Sequence, residues 1–248
     1  MKRVNLFGIS VDPLTTKQTV ELVREKIVNK VPTHLLGMNA DKVNGLGKDK
    51  QYDEIVKNAD IINADGVSLI MAAKFLNKSI PERVAGIDLM QDLLEMAEKD
   101  GFSVYFLGAK HAVVSTLVDR MKGKYPRLQI VGYRDGYFGK DEWQNISNEL
   151  KEAHPDLVFI GISSPTKEYL IDYFMKQGNN AIFMGVGGSF DVLSGYIKRA
   201  PKWVRKTNME WMYRFLQEPK RLFKRYFFGN VKFLISMFRE KFKWQKQV

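Results

Sequence analysis

Short apolar runs alternate with longer amphipathic stretches along most of this chain. Apolar runs bounded by turn residues predict buried strands, and apolar residues spaced three and four positions apart predict helices. The predicted strands are residues 4–7, 34–38, 61–63, 103–107, 128–131, 157–160 and 181–184. Strands that alternate with helices indicate βαβ units. We therefore expect an α/β fold with a Rossmann-like, mostly parallel sheet and helices on both faces.

Amphipathic stretches occupy the intervals between these strands and continue after the last one. They predict helices at residues 16–28, 40–46, 52–59, 69–75, 88–99, 112–122, 141–152, 166–176, 209–217 and 219–243. Thr15 or Thr16 can cap the first helix, because a threonine hydroxyl accepts a backbone N–H of the first turn. Pro219 suits the first position of the last helix, and Gly229-Asn230 can interrupt that helix.

Glycine turns follow the predicted strands of the second half of the chain. They contain Gly108, Gly136, Gly161 and the run Met184-Gly185-Val186-Gly187-Gly188-Ser189-Phe190-Asp191. Carboxyl ends of parallel strands meet at one edge of a sheet, and glycine lets backbone N–H groups approach an anion closely. We expect a nucleotide diphosphate there, with Gly108, Gly187 and Gly188 among its binding residues. The alternative is a set of tight turns in which only glycine fits.

Polar residues follow two strands of the first half of the chain. Asn39 is expected to cap a helix, to contact a ligand, or to do both. Asp65 stands on a glycine turn, where it is either a helix cap or a general base in a cleft. Arg83 forms an ordinary surface pair with Glu82 or clamps a phosphate or leaving group.

Two further side chains are candidates for the nucleotide. Tyr137 follows the turn at Gly136, where its ring either stacks on a base or fills the core. Asp191 comes just after the glycine run, where it accepts a hydrogen bond from the ribose or base, or caps the following helix.

Composition narrows the class of protein. The chain has 248 residues, no cysteine and three histidines without metal-ligand spacing, so we expect no disulfide, no thiolate site and no bound metal. The dinucleotide fingerprint G-x-G-x-x-G is missing from the glycine run, which disfavours a nicotinamide-dependent oxidoreductase. We expect neither a signal peptide nor a membrane-spanning segment.

The basic excess is concentrated at the C-terminal end. Residues 198–248 carry 15 Lys and Arg against 3 Asp and Glu, whereas residues 1–197 carry 24 against 25. On a helical wheel, Arg221 and Arg225 share one face of the last predicted helix, opposite a broad aromatic face. Such a helix can lie in a membrane interface or pack its apolar face on the domain. A nucleic-acid partner is not expected, because no nucleic-acid-binding module is evident.

Several segments, taken together, resemble the WecG/TagA/CpsF family of bacterial glycosyltransferases. They occur in the family order and cover nearly the whole chain. The matching segments are Asn-Ala-Asp at 39–41, Ala-Asp-Gly at 64–66, Glu-Arg-Val-Ala-Gly at 82–86, residues 132–138, residues 185–191, Arg-Ala-Pro at 199–201, Glu-Trp-Met-Tyr-Arg at 210–214 and Glu-Pro at 218–219.

The resemblance implies a metal-independent, inverting transfer from a UDP-sugar, often UDP-N-acetylmannosamine, to an undecaprenyl-diphosphate-linked sugar in surface polysaccharide or teichoic acid synthesis. It implies no cofactor, and a peripheral enzyme on the cytoplasmic face of the bacterial membrane. Asp65 matches the proposed general base, and Arg83 an arginine that acts on the acceptor or the leaving diphosphate. Diphosphate-binding positions of the family correspond to tail arginines, of which Arg199, Arg214, Arg221 and Arg225 are our candidates.

The expected organisation is a glycosyltransferase core, residues 1–197, and a basic membrane-associating appendage, residues 198–248. Within the core, the acceptor side is about 1–100 and the nucleotide side about 101–197. A non-catalytic nucleotide-binding scaffold on the membrane would share this organisation. The sequence leaves open whether the chain forms a homo-oligomer.

Two positions depart from the family pattern. Gly37 stands where some relatives have threonine, so a hydroxyl contact is lost there. Lys167 stands where glutamine is common, in the element Pro165-Thr166-Lys167-Glu168. A lysine there can pair with a carboxylate on the donor, so the donor sugar is either N-acetylmannosamine, a related sugar, or an acidic one such as a uronic acid.

Overall fold

The structure, a computed structural model, describes residues 2–201, 203–204, 207, 209–217 and 219–245. Of residues 214, 220–222, 224–226 and 243–245 it describes the backbone alone. The strands are β1 (Val4–Leu6), β2 (Ile9–Val11), β3 (Thr33–Met38), β4 (Ile61–Ala64), β5 (Ser103–Gly108), β6 (Gln129–Arg134), β7 (Leu157–Gly161) and β8 (Ile182–Gly185).

Six of these strands form one parallel sheet in the order β4-β3-β8-β7-β5-β6. The chain starts near one edge, crosses to the other side after β4, and returns with β7 and β8 to the middle. All six carboxyl ends therefore lie along the same edge of the sheet. This confirms the expected Rossmann-like α/β fold.

Helices cover both faces because the strands are apolar on both faces, as a buried parallel sheet requires. The helices are α1 (Thr16–Val28), α2 (Ala40–Gly45), α3 (Lys50–Lys57), α4 (Val67–Phe75), α5 (Gly86–Asp100), α6 (His111–Lys124), α7 (Trp143–Ala153), α8 (Thr166–Lys176), α9 (Ser189–Leu193), α10 (Glu210–Gln217) and α11 (Pro219–Gln245). Phe106 and Phe159 pack on the face covered by α1, α5 and α6. Tyr105 and Val158 pack on the opposite face, under α7 and α8.

The predicted first strand lies outside this sheet. β1 pairs antiparallel with β2, which sequence analysis missed, in a separate two-stranded hairpin. Phe7 and Gly8 both have positive φ, 56° and 76°, as the tightest hairpin turns require. Residues 9–11 are too few to show an alternation that stands out from the flanking turn.

The C-terminal helix is continuous through Gly229-Asn230, so the interruption considered from the sequence is absent. The Gly229 carbonyl accepts a hydrogen bond from the Asn44 side chain at 2.8 Å, which ties the helix to α2 at this position. Phe233 and Met237 are buried against β3 and α4. One stripe of α11 therefore packs on the core.

Other apolar side chains of α11 remain outside this contact. Phe227, Phe228, Leu234 and Ile235 are each about half exposed or more. The interpretation that the helix packs its apolar face on the domain thus holds for one stripe, while a second apolar stripe is exposed. Its placement in a membrane interface stays a prediction.

Candidate active site

A cleft of about 910 Å³ opens at the carboxyl edge of the sheet. It receives residues from the ends of all six strands or the loops that follow them, as expected for a ligand site in an open α/β sheet. The residues that line it are Asn39, Asp41, Lys42, Asp65, Ala109, Lys110, Ala112, Val113, Tyr137, Gly161, Ile162, Ser163, Ser164, Lys167, Gly185, Val186, Gly187, Gly188, Asp191 and Tyr196.

The glycines that end β5 and β7 let two chain segments touch. A Cβ on Gly108 would lie 2.6 Å from the Gly161 carbonyl carbon, and a Cβ on Gly161 would lie 2.5 Å from the Phe190 ring. Gly108 also has φ +131°, which L side chains rarely adopt. Gly108 is not among the residues that line the cleft, whereas the next two residues, Ala109 and Lys110, are. Gly108 packs closely against Gly161, and this contact positions the next two residues at the cleft.

The glycine run at the end of β8 forms another part of the cleft lining. Gly187 has φ +51°, and Gly188 is the N-cap of α9, a helix of five residues. A Cβ on Gly185 would lie 2.8 Å from Cδ of Lys167, so the lysine stem crosses directly over the glycine backbone. The missing side chain at Gly185 thereby makes room for a cation in the cleft.

Asp65 does not cap α4. Gly66 is the N-cap, without a side-chain hydrogen bond, and the Asp65 carboxylate instead accepts the Gly86 N–H at 2.9 Å. That N–H belongs to the first turn of α5, so the start of one helix fixes a carboxylate that follows β4. A Cβ on Gly37 would lie 3.1 Å from the Asp65 Cβ, so glycine leaves space beside this group. Asp65 is half-buried and borders the cleft.

Asn39 caps α2 and lines the cleft. Its Oδ1 accepts the Lys42 N–H at 3.1 Å, the usual N-cap contact. The cap role holds the side chain beside Asp41 and Lys42 at the end of β3.

Arg83 lies in a second pocket, of about 250 Å³, which it shares with Asp65. It does not pair with Glu82, which accepts hydrogen bonds from Thr16 at the start of α1. Arg83 instead lies 3.6 Å from Glu210 of α10. The C-terminal segment thus contributes directly to the surroundings of Asp65.

Arg199 belongs to the same pocket, where it meets two carboxylates. Its guanidinium lies 2.5 Å from Asp88 and 3.5 Å from Glu210. Glu210 therefore joins Arg83 to Arg199, a role that sequence analysis did not assign. The side chains of Arg214, Arg221 and Arg225 lie outside the described part of the structure.

A charged cluster that sequence reasoning missed lies at the floor of the cleft. Lys42, Lys167 and Glu168 are all buried, at 5%, 7% and 0% exposed. Glu168 Oε1 lies 3.5 Å from the Lys42 ammonium and 4.0 Å from that of Lys167, and it accepts a hydrogen bond from Ser164 at 2.8 Å. A signal was present, because Lys167 and Glu168 share the buried stripe of α8 with Ile171.

Burial opposes the charge of these groups, and their mutual attraction restores it. Burial is the largest single influence and raises the pKa of Glu168, but Lys42 and Lys167, together with hydrogen bonds from Ser164 and the backbone, outweigh it, so the net pKa is lowered. Burial lowers the pKa of neighbouring His34 to about 4. His34 is therefore neutral at pH 7, and the cluster consists of two ammonium groups around one carboxylate.

Tyr137 and Asp191 lie on the cleft wall. Tyr137 is 72% exposed, which is incompatible with the interpretation that its ring fills the core. Asp191 lies in the first turn of α9, and the N-cap there is Gly188, without a side-chain hydrogen bond. Both side chains are thus available to a ligand in the cleft.

The described residues contain no group of three or more His, Asp or Glu side chains arranged to hold a metal ion. Within the same part of the chain, no helix is both long and apolar enough to cross a membrane.

Fold and cleft together place the protein among the Rossmann-like α/β proteins that bind ligands at the carboxyl edge of a parallel sheet. Within that class, the glycosyl transferase WecG/TagA/CpsF family model matches residues 4–247. The chain belongs to this family, as the resemblance of its motifs indicates.

Three similar relatives share the name N-acetylglucosaminyldiphosphoundecaprenol N-acetyl-beta-D-mannosaminyltransferase. The chain is 36% identical to that protein from Bacillus spizizenii over 171 residues, 69% of this chain and 66% of the relative. It is 34% identical to the Bacillus subtilis protein over 174 residues, 70% of this chain and 67% of the relative. With the Staphylococcus aureus protein it shares 31% identity over 222 residues, 89% of this chain and 87% of the relative.

Proposed function

We propose that this protein transfers N-acetylmannosamine, or a related sugar, from a UDP-sugar to a sugar linked to polyprenyl diphosphate. The relatives are named for an N-acetylmannosaminyl transfer to N-acetylglucosaminyldiphosphoundecaprenol, and the family match covers nearly the whole chain. The products would enter teichoic acid or another surface polysaccharide.

The observation that carries this proposal is the position of Asp65. Its carboxylate borders both the large cleft and the pocket that contains Arg83. A group between two binding spaces can take a proton from an acceptor in one while the donor lies in the other. The hydrogen bond from Gly86 holds the carboxylate in this position without removing its second oxygen from use.

The proposed reaction is a single displacement. Asp65 accepts the proton of the acceptor hydroxyl, the hydroxyl oxygen forms a bond to C1 of the donor sugar, and the bond from C1 to the β-phosphate oxygen breaks. UDP leaves with the bonding electrons, and the configuration at C1 inverts. Charge that develops on UDP is stabilised by fixed cations and N–H donors.

The donor is assigned to the large cleft. Lys110 and Lys167 line it together with the Gly187-Gly188 turn, so cations and backbone donors face the space for a diphosphate. In this proposal they stabilise the negative charge of the diphosphate, as a divalent metal ion does in other enzymes. Tyr137 stacks on the uracil, and Asp191 accepts a hydrogen bond from the ribose or base.

Release of UDP with a short-chain lipid-diphosphate N-acetylglucosamine acceptor tests the function. We expect turnover with UDP-N-acetylmannosamine or its uronic acid, and UDP binding by calorimetry. UDP binding without turnover across the donor panel would favour a non-catalytic scaffold, and absence of both would reject the proposal.

Lys167 is expected to set the preference between neutral and acidic donors. Its ammonium is buried at the floor of the cleft, where a charge-assisted hydrogen bond to a sugar carboxylate is strong. We expect Lys167→Gln to lower the kcat/KM ratio of the acidic to the neutral donor by about tenfold or more. Lys110→Gln, which removes another lysine of the cleft lining, should lower turnover of both donors alike. An unchanged ratio in Lys167→Gln would contradict this assignment.

Membrane association is assigned to the outward stripe of α11. Phe227 and Phe228 are 58% and 62% exposed, and the helix is rich in lysine and arginine, as in helices that lie in a membrane interface. The enzyme would then work as a peripheral protein at the cytoplasmic face, where both UDP-sugars and lipid-linked acceptors are present. Deletion of the tail would be a poor test, because it would also uncover the core that Phe233 and Met237 cover.

We expect Phe227→Ser with Phe228→Ser to weaken sedimentation with phosphatidylglycerol vesicles by about tenfold or more, because two aromatic rings lose their burial in lipid. Val28→Ser is the matched control, since Val28 is 66% exposed at the end of α1. Equal losses in both variants, or none in the double variant, would contradict this role of α11.

A further inference from the structure

An apolar groove of about 660 Å³ lies between α4 and α11, beside the proposed active site. Phe233 and Met237 form its floor and are 3% and 9% exposed. Met71 of α4 and Leu234 of α11 form its walls and are 64% and 49% exposed. The proposed donor and catalytic chemistry leaves this groove without a function.

The inner end of the groove is polar and belongs to the other two cavities as well. Asn39 lines both the groove and the large cleft, and Arg83 and Trp211 line both the groove and the pocket that contains Asp65. Asp65 lines the large cleft and its own pocket, and the next residue, Gly66, lines the groove, so the three cavities meet beside Asp65. A ligand that fills the groove and reaches this junction needs a hydrocarbon part joined directly to a polar head.

The charge at the junction favours an anionic head. Arg83 presents its guanidinium between the groove and the Asp65 pocket, held 3.6 Å from Glu210. A guanidinium recognises phosphate oxygens well, and an incoming diphosphate can share it with Glu210.

We propose that this groove binds the first isoprene units of a polyprenyl-diphosphate acceptor, with the diphosphate at Arg83 and the attached sugar in the Asp65 pocket. This inference rests on the proposed function, and it names the subsite that holds the lipid. A fatty acyl chain of a bilayer lipid could contact the same apolar walls. The headgroup of such a lipid is not an acceptor, so it has no hydroxyl that needs to reach Asp65. The prenyl chain is therefore the occupant that uses all three connected spaces.

The geometry also gives the lipid a route. Leu234 lines the groove, and Ile235 and Phe238 continue the apolar surface of α11 outward, each about half exposed. The helix proposed to lie in the membrane interface thus forms one wall of the groove. The isoprene units nearest the diphosphate would leave the bilayer along this wall, while the rest of the chain stays in lipid.

Calorimetry with geranyl diphosphate and inorganic diphosphate tests the subsite directly, without vesicles and without turnover. We expect the full-length protein to bind geranyl diphosphate about tenfold more tightly or better, because burial of a few methylene groups suffices for that factor. Leu234→Glu and Met71→Glu should bring the two affinities together. Both side chains are largely exposed, so the substitutions leave the core intact.

Ile235→Glu is the matched control. It is adjacent to Leu234, similarly exposed at 47%, and absent from the groove lining, so it should retain the prenyl preference while weakening vesicle binding. Equal affinities for the two ligands in the wild type would overturn the inference. So would an equal loss in Ile235→Glu, or a dimer that Leu234→Glu dissociates without any prenyl preference.

A second arm separates this inference from the proposed function. In the transfer assay, the ratio of kcat/KM for a geranyl-linked to a methyl-linked diphosphate sugar should fall to near one in Leu234→Glu. Transfer with no difference between the two acceptors would contradict prenyl binding in the groove but leave the proposed function intact. Prenyl preference in calorimetry without any transfer would support prenyl binding in the groove and contradict the proposed function.

Discussion

We expect Asp65→Asn to reduce sugar transfer by about 10²–10⁴-fold, the range that a positioned general base contributes, and to retain UDP binding. Asparagine keeps an oxygen that accepts the Gly86 N–H and has nearly the same shape, so the fold around the residue is preserved. It cannot take the proton of the acceptor hydroxyl. We expect the loss in kcat, measured by UDP release with a lipid-diphosphate acceptor.

The matched control is Asp172→Asn on the outer side of α8, where the carboxylate pairs with Lys176 away from the cleft. This variant should transfer sugar at the wild-type rate. Turnover of Asp65→Asn within a few-fold of the wild type would exclude Asp65 as the base. Loss of UDP binding together with turnover would instead assign Asp65 to the structure of the cleft.

We expect Glu168→Gln to lower the free energy of unfolding by about 3–5 kcal/mol, because it removes a buried carboxylate that interacts with two buried ammonium groups. Lys42 and Lys167 are 5% and 7% exposed, so hydration by water in the cleft replaces only a small part of that interaction. Glutamine keeps the size of the side chain and an oxygen that accepts the Ser164 hydroxyl. The measured difference therefore reports the loss of the negative charge alone. Urea unfolding at pH 7 measures the difference.

Glu152→Gln, on the exposed surface of α7, should change the free energy of unfolding by no more than about 0.5 kcal/mol. Combining Glu168→Gln with Lys42→Met removes one of the two lysine charges as well and should restore part of the stability. Equal stability of Glu168→Gln and the wild type would show that the carboxylate is not needed to hold the two lysines.

The same difference should depend on pH. The folded pKa of Glu168 lies below its ordinary value of 4.5, so the unfolded chain takes up this proton first as the pH falls. The stability that Glu168 contributes is therefore complete above about pH 4.5 and is lost as the pH falls through the folded pKa. The gap between wild type and Glu168→Gln should narrow over that interval.

The local sequence pattern predicted most helices and strands but only part of the candidate active site. The predicted helix at residues 166–176 coincides with α8, since its apolar stripe and flanking proline and glycine mark both ends. Asn39 was expected to cap a helix, and it does. For Asp65 the local pattern favoured a helix cap over a general base, and only its hydrogen bond to Gly86, 21 residues away, shows that α5 rather than α4 holds it.

The sequence by itself determined the parallel α/β fold, because periodicity and turns are local in the chain, and the family, because its motifs occur in order along the chain. It also predicted the glycine turns that the structure places at the cleft. Tertiary structure alone decided that Lys42 pairs with Glu168 and Glu210 with Arg83. It also decided that one stripe of α11 covers the core while other residues of this helix form one wall of the groove beside Asp65. Each of these contacts joins segments far apart in sequence. Their pairing is fixed by how helices pack on the sheet, which no local pattern encodes.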